Sequence, residues 1–274
     1  MGNSVFSESI WGPVLDSRAD EFIDKAWEAE TASAQLKWAR RALVIDRDCI
    51  DGYTLVSQHA NTKGEQLALL REAVRVGDRL WGPHLKRKDM QWWGFVGTRP
   101  YMRAMHGLGL ALMQAGELAE SEVIFKTLLK LNPNDNQGIR ELAGQVLLLG
   151  GRHEDYLKLA AKFKGDGLLS TNMGLLACAL GMGDHVLALK RAEKVRSINS
   201  HALPMMSSAL RRYACPGPNP SPYSAWGSEE EAKSYIGSFW DIWSEEKLRL
   251  LFLTTIVETA RAYAPPPKKG QKLH

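Results

Sequence analysis

The side chains from which this sequence could build a reactive centre are histidine, cysteine and clustered acids, and none is spaced for it. The seven histidines, His59, His84, His106, His153, His185, His201 and His274, include no pair at i,i+2 or i,i+4. No single element therefore presets two imidazoles for a zinc ion. Cys49, Cys178 and Cys215 are far apart, odd in number and without a CxxC pair. That leaves little for a disulfide framework or a cysteine-held zinc, and it fits a reducing compartment. Asp20, Asp24 and Glu28 recur every four residues on one helix face, which reads as a solvated stripe rather than a cation cradle. His153-Glu154-Asp155, just after Gly150-Gly151, reads as the polar start of a helix. No phosphate-cradling glycine loop, nucleophile elbow, HExxH or calcium loop occurs. The expectation leans to a chain without a catalytic constellation, and with no metal and no cofactor.

The elements that must carry any site are helices. From Ser17 to about Leu210, Ala, Leu, Glu, Lys and Arg dominate and β-branched residues are sparse. Breaks fall at Asp46–Asp51, Asn61–Gly64, Trp81–Arg99, Ala115–Gly116, Asn132–Gln137, Gly150–Gly151 and Met182–Asp184, leaving helices of about 12–16 residues. This predicts an all-α fold of about eleven to thirteen helices, most of them in antiparallel pairs. The expected organisation is a lead-in over 1–17 and a helical array over 18–211 with an insertion at 81–99. A Pro-rich connector over 212–227, a helical cap over 228–262 and a disordered basic tail over 263–274 follow.

Composition narrows the partners. With 45% hydrophobic and 24% charged residues the chain is an ordinary globular one. The net charge is +4, and much of it comes from Lys268, Lys269 and Lys272 in the tail, so the body is near neutral and shows no basic stripe for nucleic acid. No run of about 20 apolar residues is present, and stable membrane insertion is not expected. Without a secretory pattern at Met1–Phe6, the expected location is cytoplasmic.

A period of 34 residues runs through the helices. Counting from Met102, Leu108 and Gly109 fall at positions 7 and 8, Leu112 at 11, Gly116 at 15, Phe125 at 24 and Pro133 at 32. A small residue at position 8 lets the two helices of a hairpin approach, and the proline stops the second helix. Ser121 stands where position 20 usually holds Ala. A second unit from Asn136 places Leu142, Ala143, Val146 and Gly150 at positions 7, 8, 11 and 15, and a third begins near Leu169.

On these residues the chain resembles the tetratricopeptide repeat superfamily. More narrowly it resembles the soluble helical core of the suppressor-of-tumorigenicity-7 family. That likeness rests on Ala42, Leu43, Ile45, Asp46 and Cys49, on Tyr53, Leu55 and Val56, and on the Gly116 and Pro133 hairpin. It continues through His201-Ala202-Leu203-Pro204 and Ser228-Glu229-Glu230-Glu231-Ala232, with Tyr235 and Trp240, so that it covers roughly residues 25–250. The resemblance implies a right-handed superhelix of tetratricopeptide-like hairpins closed by a C-terminal helical cap. It brings no catalytic residues with it.

Such an array works through the face lined by the first helix of each hairpin. Positions 2, 5, 9 and 12 give Arg103, His106, Leu110 and Met113, and the next unit gives Gln137, Arg140, Gly144 and Leu147. Arg103, His106 and Arg140 with Leu110, Met113 and Leu147 suit a protein or peptide ligand, an acidic one included. The insertion carries Trp81, Trp92, Trp93 and Phe95; it either plugs the array or presents Trp92 and Trp93 to a partner. The expected function is a non-catalytic protein- or peptide-interaction module. The alternative is an enzyme or small-molecule binder whose pocket the 81–95 aromatics close.

Overall fold

Short helices need their free backbone groups satisfied at both ends, and here nearby residues do it. In the computed structural model, which describes residues 17–87, 90–163, 165–217 and 224–258, Thr31, Thr62, Asp184, Ser228 and Glu245 each accept from an amide in the first turn of the following helix. Glu65 and Glu231 reinforce two of these starts by accepting from the amides of Asn61 and Gly227. At the hairpin bends Gly116, Gly151 and Gly183 are left-handed, with φ of +82°, +66° and +77°. The next amide folds back each time: Glu117 N donates to Leu112 O, Arg152 N to Leu147 O and Asp184 N to Ala179 O. Glycine adopts this bend without a Cβ clash.

The chain divides into two compact units between Ala143 and Gly144. The first contains α1 (Ser17–Trp27), α2 (Ala32–Ile45), α3 (Ile50–Ser57), α4 (Lys63–Trp81), α5 (Arg99–Gln114) and α6 (Leu118–Leu131). α1 packs on α2, α3 on α4 and α5 on α6, while α3 also touches both α1 and α5. The first helices of successive hairpins therefore stand side by side. α7 (Ile139–Leu149) runs across the division.

The second unit contains α8 (His153–Lys162), α9 (Leu169–Gly181), α10 (His185–Ile198), α11 (Ala202–Arg212), α12 (Glu229–Ser238), α13 (Trp240–Trp243) and α14 (Glu246–Phe252), then a π-helical stretch Leu253–Glu258. Its core runs from Leu147 through the apolar face of α9 to Trp243 and Phe252. No strand occurs among the described residues, so the molecule is all-α.

Fourteen α-helices are present among the described residues, more than the eleven to thirteen expected. The excess lies in the cap, which the sequence suggested as two helices. Phe239 and Ser244–Glu245 interrupt it, and Glu245 starts a fresh helix by accepting from Leu248 N at 2.9 Å. Residues 1–16 of the lead-in, Lys88 and Asp89 of the insertion, 218–223 of the connector, 259–262 of the cap and the tail 263–274 lie outside the described residues.

Candidate functional site

The hairpin of α5 and α6 holds the site's main stripe in place. Its helices come close at Gly109, where a Cβ would sit 2.5 Å from Cε1 of Phe125. Ser121 is fully buried and donates to Gly109 O at 2.7 Å. That bond explains why a hydroxyl is tolerated at this buried position: the oxygen has its partner. With Leu108 and Leu112 committed to the core, Arg103, His106, Leu110 and Met113 are left half-buried along one side of α5. These four expected site residues share a stripe.

Arg103 does not present an open fork. Its Nε donates to Asp51 Oδ1 at 3.0 Å and its Nη2 to Asp51 Oδ2, a bidentate pair with a carboxylate only 8% exposed. Asp51 enters from the start of α3. The guanidinium also lies over Trp27, at the end of α1, 5.7 Å from the ring centroid. Trp27 is 45% exposed. Three first helices thus meet at Arg103. The pairing makes it a positioned hydrogen-bond donor in a pair that is net neutral, with the N–H groups not used by Asp51 available to a ligand. Trp27 and Asp51 were not singled out from the sequence; Asp51 lies 52 residues from the arginine it pairs with.

Arg140 is engaged as well, and its register differs from the expected one. Asp135, left-handed at φ 52°, accepts from Ile139 N at 2.6 Å and from Arg140 N at 3.2 Å. It also pairs with Arg140 Nη1 at 3.0 Å. The close-packing glycine of the next hairpin is Gly144, which meets Tyr156 of α8, and the left-handed bend is at Gly151. Gly144 and Gly151, rather than Ala143 and Gly150, correspond to Gly109 and Gly116. The close-packing glycine and the left-handed bend of α7 and α8 therefore each fall one residue later than the sequence spacing suggested. Leu147 accordingly takes the place of a core residue: it is 4% exposed and joins the second unit's core.

His106 faces the electrostatics of the same corner. Burial pushes its imidazole pKa down, with Asp135 opposing. Gln137 Nε2 reaches Met102 O at 3.4 Å, and its buried Oε1 has no partner among the described residues.

The described part of the insertion is held by contacts among its own aromatic residues. Trp81 makes edge-on ring contacts with Trp92 and with Phe95, each with centroids 6.0 Å apart. Trp92 is 3% exposed. The Thr98 hydroxyl bridges the carbonyls of Trp92 and Phe95. Trp93 is half-buried, with Arg99 over its ring at 5.0 Å. Trp92 is thus an interior side chain and Trp93 the more accessible of the two.

The cysteines are free thiols. Burial pushes Cys49 and Cys178 up to about 12, so both stay protonated at neutral pH. No cluster of three His, Cys, Asp or Glu able to hold a metal occurs among the described residues. No helix among them is long and apolar enough to cross a membrane. No protein family and no curated protein matches the chain.

Proposed function

We propose that this protein is a non-catalytic interaction module of tetratricopeptide-like hairpins, and that α1, α3 and α5 present its peptide-binding face. The observation that carries the reading is the convergence at Arg103. A half-exposed Trp27 covers a guanidinium already oriented by Asp51, beside the half-buried stripe His106, Leu110 and Met113. A pre-oriented donor costs a ligand less ordering than a free arginine does. The aromatic and apolar neighbours supply the contact area from which most affinity comes. The favoured ligand is an extended peptide that offers a backbone carbonyl or a carboxylate to Arg103 and apolar side chains to Trp27, Leu110 and Met113. Free thiols support a reducing compartment, and a cytoplasmic location is part of the same proposal.

The test is selection of a displayed peptide library on the full chain, followed by hydrogen-exchange mapping of the bound state. Protection of the Trp27 end of α1 and of Arg103–Met113 in α5 is expected. Trp27→Ala should weaken the selected peptides about ten-fold or more while leaving the melting temperature near wild type. Peptides that protect none of α1, α3 and α5 would refute the proposal.

A further inference from the structure

The arginines expected to recognise an acidic ligand are balanced by Asp51 and Asp135. Cations without such a balance lie elsewhere in the first unit, on the hairpin of α1 and α2. There Phe22 and Trp38 stack with centroids 5.7 Å apart and planes 18° from parallel. Both rings are half-buried, resting on the core of Ala19, Ile23, Ala39 and Ala42. Lys25 Nζ lies 5.2 Å from the Phe22 centroid and 5.5 Å from that of Trp38. Lys37 Nζ lies 5.0 Å from Trp38, and the Arg41 guanidinium 5.9 Å from Phe22. All three cationic side chains are exposed. No carboxylate among the described residues pairs with Lys25, Lys37 or Arg41.

The acids nearest in sequence form no ion pair with these cations. Helix α2 contains Lys37, Arg40 and Arg41 and no Asp or Glu. On α1 Asp20 and Asp24 fall on the face opposite Phe22, because residues two apart on a helix point in nearly opposite directions, and Glu21, one turn before Lys25, is exposed and makes no ion pair with it. The result is a compact basic patch with an aromatic floor beside an acidic stripe, on a body that is near neutral as a whole.

We infer that the Phe22–Trp38 floor and its rim of Lys25, Lys37 and Arg41 form a second binding site, which takes an acidic segment of a partner protein. Charge complementarity selects the partner: carboxylates meet three cations that have no internal acid to displace, and the ring edges accept an apolar side chain. Nucleic acid fits less well. Base stacking needs a free ring face, whereas these rings use their faces on each other and on the cations. The acidic stripe also interrupts any basic track along a phosphate backbone. This site shares α1 with the α1–α3–α5 face but not its residues: it is built from Phe22 and Lys25 of α1 with Lys37, Trp38 and Arg41 of α2.

The experiment is a polarisation titration of the full chain with a fluorescein-labelled peptide of Glu and Leu, at low and at moderate salt. Wild type should bind and lose affinity as salt rises. Lys25→Gln/Lys37→Gln/Arg41→Gln should bind about ten-fold more weakly or worse, whereas Lys190→Gln/Lys194→Gln/Arg196→Gln, which removes the same charge from the exposed side of α10, should bind as wild type does. A peptide with Lys in place of Glu probes the same attraction without altering the protein and should not bind. No binding by wild type, equal binding by the triple variant, or equal binding of the Lys peptide would each overturn the assignment. Tighter binding of labelled oligothymidylate through the same three residues would overturn it in favour of a nucleic-acid surface.

Discussion

At the scale of single residues, two positions decide whether the first unit's face exists. Gly109 is one. A Cβ there would stand 2.5 Å from the Phe125 ring, which is itself fully buried. Neither helix of the hairpin can yield without losing core contacts, so Gly109→Leu should destabilise by about 1–3 kcal/mol. A melting temperature equal to wild type would mean that the α5–α6 crossing is looser than described. The other is the Arg103–Asp51 pair. Removing Asp51 leaves a half-buried guanidinium unpaired under Trp27 and frees it to move. Asp51→Asn should therefore lower affinity for peptides selected on the wild type, together with a loss of stability of about 1–2 kcal/mol. The arginine is more than a third exposed, so solvent screens part of the loss. Full retention of peptide affinity by a stably folded Asp51→Asn protein would show that the pairing does not orient the arginine for binding.

Among the elements, the turns between helices carry more of the architecture than their length suggests. Asn199, 1% exposed, follows α10 and is the clearest case. Its Oδ1 accepts from His201 N and Ala202 N, starting α11, while its Nδ2 donates to Ser228 O and Glu231 Oε2, tying down the start of α12. Glu231 in turn accepts from Gly227 N at 2.7 Å. Asn199→Leu would leave several buried groups unpaired at once and should cost about 2–4 kcal/mol. Urea unfolding of the two proteins side by side measures it, and a difference under about 0.5 kcal/mol would contradict the network. The sequence showed the helix breaks because glycine, proline and asparagine punctuate locally, and it showed the α5 stripe because that hairpin keeps the repeat spacing. It did not show the shift at α7. One extra residue in the turn that holds left-handed Asp135 moves Gly144 and Gly151 into register and turns Leu147 inward. Nor did it show Asp51 beside Arg103 or Asn199 between two helix starts, because those partners meet only when distant helices pack. Local patterns encode periods and stops; pairings across more than 25 residues depend on tertiary geometry.

For the molecule as a whole, stability should depend on pH through one half-buried histidine in each unit. His106 in the first unit has its pKa lowered by burial, with Asp135 opposing. His153 in the second is lowered by burial, with Lys247 adding to the effect. Its ring packs on Gly181 of α9, and its buried Nδ1 lacks a partner among the described residues. In the unfolded chain both imidazoles titrate near about 6.5. As pH falls through that value the unfolded state binds protons that the folded state still refuses, so stability falls. The contribution is complete above about 6.5 and disappears on acidification toward the lower folded values. The carboxylates held low by cations, Glu72 beside Arg75 and Asp155 beside Lys158 and Arg152, act in the same direction but in a separate, more acid window around and below about 4. The melting temperature should therefore drop between about pH 7.5 and about pH 5.5, above the window of Glu72 and Asp155. His106→Gln should flatten the pH dependence of amide protection in α5 and α6, and His153→Gln that in α8 and α9, since each histidine acts on the helices packed around it. A melting temperature that is level across this window, or variants that leave both slopes unchanged, would show that these imidazoles remain as easily protonated in the folded protein as in the unfolded chain.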